Sequence, residues 1–319
     1  KAAGLEPDEA IDHLQLGREL LRNGDRDAAE AHFEAAIRKQ AGSFWSHCLL
    51  AIAYLSSVPP HANEASTELT NCLEKQPDYA WLHLLRGSAN GQLGYEWATT
   101  ARNATEAARA RARFDEAEDD FREALKGGLD ENLNYALLMN RGVMRFQQGK
   151  LDAAAADFED AIALRKERHN AYVSLAQVDR KRGRRKEAID PIDKAIALQP
   201  QMPALYRARA FARLDDGKLP PADVEGALRD FETAARLAAS DGVEAAGDHA
   251  RRGRLLLRLQ RPADALTAAD TALGLADDLP EAHLVRITAL MEMKRYDEVI
   301  GSCDAALAGN KKASPELYR

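Results

Sequence analysis

Five of the eight histidines, His13, His47, His83, His249 and His283, and a Gly-Lys pair at Gly149 and Lys150 invite a chemical reading. A row of histidines suggests a metal. Ligands of one zinc ion converge within about 2.1 Å of it. These five instead sit at matching places of recurring helical segments, which packing spaces on the order of 10 Å apart. No metal site is expected, and the histidines read as partly buried packing residues. The Gly-Lys pair lies in "RGVMRFQQGKLDAAAADFEDAIAL", residues 141–164, where Gly142 and Gly149 stand seven apart and Leu151 follows Lys150. A G-x-x-x-x-G-K-[ST] phosphate loop therefore fails in both spacing and hydroxyl. The preceding "LNYALLMNRGVMRF" is apolar at helical spacing without a β-branched run, so no strand leads into it.

The remaining candidates also read as structural. "RKRGRRKEA", residues 180–188, is a dense basic run, but it straddles Gly183 at a turn, lacks aromatic platforms and belongs to a chain of net charge −7. Nucleic acid is not an expected partner. Asp115, Glu116, Glu118, Asp119 and Asp120 cluster where a helix begins, and the helix dipole favours acids there without catalysis. No H-E-x-x-H, G-x-S-x-G or Cys-x-x-Cys is present, so no catalytic residue, cofactor or metal is expected. No run approaches 18 apolar residues, which removes a membrane-spanning helix from the reading. Cys48, Cys72 and Cys303 fall at packed helix positions and read as small buried hydrophobes of a reducing compartment, making the cytoplasm the expected location.

The elements that carry these residues show through recurrence. Gly142, Ala154, Phe158 and Ala161 form a skeleton of small, small, large and small positions that recurs eight times in order. The first row reads Gly17, Ala51, Gly87, Gly142, Ala176, Ala210, Gly253 and Ile287. The second reads Ala29, Ala65, Ala117, Ala154, Ala188, Ala227, Ala265 and Val299. The large apolar row reads Phe33, Leu69, Phe121, Phe158, Ile192 and Phe231, then shrinks to Ala269 and Cys303. The last row reads Ala36, Cys72, Ala124, Ala161, Ala195, Ala234, Ala272 and Ala306. Successive first positions lie 34, 36, 55, 34, 34, 43 and 34 residues apart. Small residues at crossing points let two helix axes approach while a large side chain fills the adjoining space. One such hairpin cannot bury its apolar face alone, so neighbours must stack.

A 34-residue period with this pattern resembles the tetratricopeptide repeat (TPR) family over essentially the whole chain. The resemblance implies an all-α fold, a right-handed α-solenoid of about eight TPR helical hairpins. It places a preceding repeat's tail at 1–9 and the array at 10–313, with repeats starting near 10, 44, 80, 135, 169, 203, 246 and 280. A further helix would begin at 314–319, and both ends look cut from a longer polypeptide. Gly24, Gly94, Gly149, Gly183 and Gly217 fall near the ends of first helices and are expected to terminate them. The Leu usual before the small residue is Arg at Arg86, Arg141, Arg209, Arg252 and Arg286. The third repeat gains about 18 residues around 95–113, rich in helix formers, which predicts a lengthened hairpin turning near Arg102 and Asn103. Pro220 and Pro221 predict a loop in the sixth repeat, and four extra residues appear near "GVEA" before the seventh.

In TPR proteins positions 2, 5, 9 and 12 of each first helix line a groove. Here these are Trp45, Cys48, Ile52, Trp81 and Leu84, then Met139, Val143 and Phe146, then Asn170, Gln177 and Arg180, then Arg207, Phe211, Arg254 and Leu257. The resemblance thus implies a scaffold that binds a protein or peptide segment, apolar near the tryptophans and acidic toward the arginines. Trp45 and Trp81 are read equally as inter-repeat packing residues. The groove residues of a chaperone-tail clamp are absent, since the matching positions are Leu14, Arg18, Leu49, Trp81 and Leu85, and of an asparagine ladder only Asn140 is present. A second reading is a regulatory region of a larger enzyme such as a bacterial Ser/Thr kinase. The oligomeric state is left open.

Overall fold

The computed structural model describes residues 8–214 and 220–309. Most of the preceding repeat's tail, the loop containing Gly217, and the further helix expected at 314–319 lie outside the described residues. Among those described there are sixteen α-helices and no strand.

The chain divides into two units, residues 1–165 and 166–319. In the first, α1 (Ala10–Arg22) pairs with α2 (Arg26–Lys39), α3 (Phe44–Ser56) with α4 (Ala62–Lys75), α5 (Ala80–Thr100) with α6 (Ala104–Lys126), and α7 (Glu131–Gln147) with α8 (Leu151–Leu164). In the second, α9 (His169–Lys181) pairs with α10 (Arg185–Leu198), α11 (Pro203–Leu214) with α12 (Pro221–Leu237), α13 (Gly242–Arg258) with α14 (Pro262–Leu275), and α15 (Pro280–Glu292) with α16 (Tyr296–Gly309). First helices start where the repeat skeleton places them except at α7 and α13. These begin at 131 and 242, about one turn before the expected 135 and 246. The reason is local: Asp130 and Asp241 each cap the earlier start, accepting from the backbone N–H of Leu133 and Glu244. The extra residues before the seventh repeat therefore lengthen a helix.

The recurring skeleton is the core. Phe33, Phe121, Phe158 and Phe231 are fully buried, and a β-carbon added at Gly142 would meet the Phe158 ring at 2.6 Å. Gly142 is thus a close-approach residue. Gly149, by contrast, has φ +75 and ends α7 with the left-handed turn that Gly24 and Gly183 also supply. Gly94 does not terminate a helix as expected. It lies inside α5, against the Phe114 ring, because the insertion carries α5 onward to Thr100. The seventh and eighth repeats make the left-handed turn with Gln260 and Lys294. Where the large position shrinks to Ala269, Val285 of α15 moves against Gly253 in its place, while Ala265 O keeps the position that Ala117 O holds beside Gly87.

The arginines standing in for leucine have a structural role. Arg86, Arg141 and Arg209 each bind a buried aspartate, Asp120, Asp157 and Asp230, that immediately precedes the large residue of the partner helix. Two nitrogens of each guanidinium engage the carboxylate, at 2.6–3.2 Å. The bidentate fork satisfies charge and geometry together. Arg86 also reaches Thr70, and Arg209 reaches Asp193, both on the helix of the previous repeat, so the fork ties neighbouring hairpins together. In the eighth repeat Arg286 links Asp270 to Ser302 in the same way. Arg145 adds a second tie between Asp157 and Glu118. Burial pushes the Glu118 carboxyl up, but the Arg145 bond together with the charges of Arg145, Arg141 and Lys150 outweighs it and holds the carboxyl below the usual range. In the seventh repeat the aspartate's place is taken by Ala268, and the buried Arg252 Nε has no hydrogen-bond partner.

The histidine row serves the same framework. His47, His83 and His283 accept no common ligand; each uses Nε2 on a loop carbonyl six residues earlier, at 2.7–2.9 Å. Tyr206 makes the equivalent contact to Pro200 O at 3.0 Å. The other ring nitrogen of His47 meets Glu68, and that of His83 meets Asp120. Among the described residues no group of three or more His, Cys, Asp or Glu is placed to hold a metal.

The third hairpin has the longest helices, 21 and 23 residues. Its turn at 101–103 is pinned by Asn103 and Glu106: Asn103 Oδ1 accepts from the Glu106 backbone N–H at 2.9 Å, and the Glu106 carboxylate accepts from Asn103 Nδ2 and from the Arg102 backbone N–H, both at 2.7 Å. Arg113 lies over the Trp97 ring, 5.2 Å from its centroid.

Candidate functional site

First helices of the first unit frame a groove of about 390 Å³. Leu55 comes from α3, Leu85, Ser88, Gly91 and Gln92 from α5, and Asn140, Val143, Met144 and Gln147 from α7. Helical periodicity explains the set, since residues three and four apart share a face. Gly91 opens the floor above the Met144 sulfur, which a β-carbon there would approach to 3.3 Å. Asn140 donates to Ser88 Oγ at 2.8 Å, Ser88 donates to Leu84 O at 2.8 Å, and Gln92 donates to Glu96 at 2.9 Å. No titratable side chain lines this groove. Its polar groups are neutral amides and a hydroxyl, which donate and accept as a peptide backbone does.

The expected groove residues divide. Cys48 and Leu84 are buried in packing and cannot meet a partner; Cys48 Sγ lies 2.9 Å from Cys72 Sγ between α3 and α4. Val143 lines the groove, beside its exposed neighbour Asn140. Ile52, Met139 and Phe146 are partly buried on the same helices. The accessible stripe follows positions 6, 9 and 13, one residue round from positions 5 and 12, because the small leading residue turns position 5 into the neighbouring hairpin. Leu85, Gln92 and Gln147 were missed for that reason, and counting from Asn140 instead of Met139 would have found them. Trp45 and Trp81 line a different hollow at the start of α3 and α5.

The pattern of helical hairpins meets its counterpart in known sequences: the tetratricopeptide repeat model matches residues 14–81, 102–167, 145–203 and 250–316. The chain belongs to the tetratricopeptide repeat family. A curated relative, DnaJ homolog subfamily C member 3 of Bos taurus, is 28% identical over 155 residues. That match takes in 47% of this chain and 27% of the relative, so the chain spans about a quarter of the relative's length. Solved TPR structures share the fold. The C-terminal part of a TPR repeat-containing protein from Cytophaga hutchinsonii superposes with TM-score 0.60 at 13% identity, over 85% of this chain and 98% of that one. A TPR protein from Parabacteroides merdae gives 0.53 at 17% identity, over 88% and 98%.

In the second unit of the TPR array, Phe211 is exposed and packs edge-on against Phe231, with ring centroids 5.5 Å apart. Leu257 is partly buried, Asn170 and Gln177 are exposed, and Arg180 is partly buried. Arg207, expected to await a partner's acid, is already committed: it binds the fully buried Asp248 at 2.8 Å and Glu244 at 2.6 Å. Burial works against its charge, yet the bonds to Glu244 and Asp248 outweigh that and hold its proton more tightly than usual. The correction has a plain cause, since a buried carboxylate demands a cation from within the fold. Arg254 remains 63% exposed and leans on Glu281 at 2.6 Å. Among the described residues no helix is long and apolar enough to cross a membrane.

Proposed function

We propose that this chain, a TPR scaffold for protein interaction, holds an extended segment of a partner in the groove of its first unit. The observation that carries the reading is the lining: apolar Leu55, Leu85 and Val143 interleaved with the neutral amides Asn140 and Gln147 over the open floor at Gly91. Apolar side chains of the segment would seat on the leucines and Val143, and its backbone would exchange hydrogen bonds with the amides. In the second unit, Arg254 is the cation that an acidic side chain of a partner would draw from Glu281. The chain itself supplies no chemistry in this reading and would place a partner, whether alone or beside an enzyme.

The test selects twelve-residue peptides from a random library on the parent protein. Affinities for parent, Val143→Glu and Asn140→Ala follow, after circular dichroism shows that each variant folds like the parent. Val143→Glu puts a charge on the apolar wall and is expected to weaken binding tenfold or more; Asn140→Ala should weaken it severalfold. Selected peptides that bind both variants as tightly as the parent would overturn the reading.

A further inference from the structure

At the opposite end of the same helices lies a second hollow, of about 450 Å³, whose chemistry differs from that of the groove. Trp45 stands in the first turn of α3, Tyr79 caps α5 and Trp81 follows it, and Asp78 and Asp130 complete the rim. Trp45 is 53% exposed, with Phe44 edge-on behind it at 5.2 Å between centroids. Tyr79 and Trp81 rings lie 5.9 Å apart and tilted by 51°. Large aromatic faces left in contact with water are costly unless something covers them.

The charges around this hollow all point one way. No basic side chain lines it. Asp130 gives one oxygen to the Leu133 amide as a helix cap, and among the described residues neither Asp130 nor Asp78 has an ion pair. Nearby cations are engaged elsewhere: Lys75 on Gly42 O, Lys126 on Glu123, and Arg165 on Glu131 and Asn132. The starts of α5 and α7 carry only about half a positive charge each, which is smaller than two carboxylates. The electron-rich faces of Trp and Tyr attract cations, most strongly where water is thinned.

From this juxtaposition we propose that the hollow is a binding site for a basic side chain, lysine or arginine, of a protein partner. The aliphatic stem lies against Trp45 and Trp81, and the charged head reaches Asp78 and Asp130. This site stands independently of the groove, since the two share no residue.

The test uses the indole N–H signals of the three tryptophans in a ¹⁵N-labelled protein. Trp97 on the third hairpin serves as an internal control. The probes are the N-acetyl methylamides of lysine, arginine, norleucine and glutamate. Lysine and arginine probes should shift the Trp45 and Trp81 signals and leave Trp97 in place, while norleucine, with the stem but no charge, should bind at least fivefold more weakly. The double variant Asp78→Asn, Asp130→Asn keeps a competent cap at 130 and should weaken the lysine probe at least fivefold. Val143→Glu in the groove should leave these shifts unaltered. Equal binding of norleucine, preference for glutamate, or an unaffected double variant would each overturn the proposal.

Discussion

The seventh repeat permits a quantitative test of the arginine forks. Arg252 occupies the position of Arg86, Arg141 and Arg209, but its helix partner offers Ala268, 1% exposed, where the others offer aspartate. The register is the same, because Ala265 O lies 3.4 Å from the β-carbon direction of Gly253, as Ala117 O lies 3.2 Å from that of Gly87. Ala268→Asp should therefore place a carboxylate within reach of Arg252 Nε, which is buried without a partner. Hydrogen bonds to charged groups contribute about 1.5–3 kcal/mol each, and burying the carboxylate costs several kcal/mol. The two nearly cancel, so Ala268→Asp alone should change stability by about 1 kcal/mol or less. In an Arg252→Met background the same carboxylate is buried unpaired, which costs about 3–5 kcal/mol. The expected coupling is thus about 3 kcal/mol. Urea unfolding of parent, both single variants and the double variant, followed by circular dichroism, measures it as a double-mutant cycle. A coupling below about 1 kcal/mol would refute the claim that these two helix positions are placed in the seventh repeat, as in the third, fourth and sixth, to form a charge pair.

Three further outcomes follow from particular contacts. Gly142→Ala should destabilise the protein by about 1–3 kcal/mol, because its methyl group runs into Phe158, and Phe158→Leu should relieve part of that loss; equal costs in both backgrounds would contradict the close-approach role. Stability should fall in acid in two stages. Burial, with the Arg252 charge, lowers His249 below 6.5, and burial with His32 lowers His13, so their contribution is present above 6.5 and lost as pH drops through the folded values. Glu118 is held below 4.5, so its contribution is present above 4.5 and lost as pH drops through its lower folded value. Urea midpoints that rise as pH falls from 7 to 5 would contradict the histidine sign, and midpoints that rise as pH falls below 4.5 would contradict the Glu118 sign. Cys48 and Cys72 should be joined by a disulfide oxidant such as oxidised glutathione, the two thiols losing two protons and two electrons to it, since their sulfurs already lie 2.9 Å apart. Non-reducing peptide maps that show no Cys48–Cys72 link after a treatment that has put glutathione on the partly exposed Cys303 would rule this out.

The linear spacing of Gly142, Ala154, Phe158 and Ala161 and their seven counterparts was enough to specify helical hairpins and their partners. Each hairpin is held by contacts within some twenty residues, and period and residue size report such local packing directly. The length of the third hairpin was legible for the same reason, since helix formers filled the insertion. The accessible face was not. A turn of one residue about the helix axis separates Met139 from Asn140, and which of them meets solvent depends on how the next hairpin leans, a property of packing between repeats. The same holds for charge: Arg207 and Arg254 look alike in the chain, but folding brings a fully buried Asp248 to the first and leaves the second 63% exposed beside Glu281. The forks from Arg86, Arg141 and Arg209 were written in the sequence as arginine on one helix and aspartate before the phenylalanine of the other. Their meaning appeared only when the two helices lay side by side, because a buried ion pair is decided by distance in space, which the order of residues does not carry.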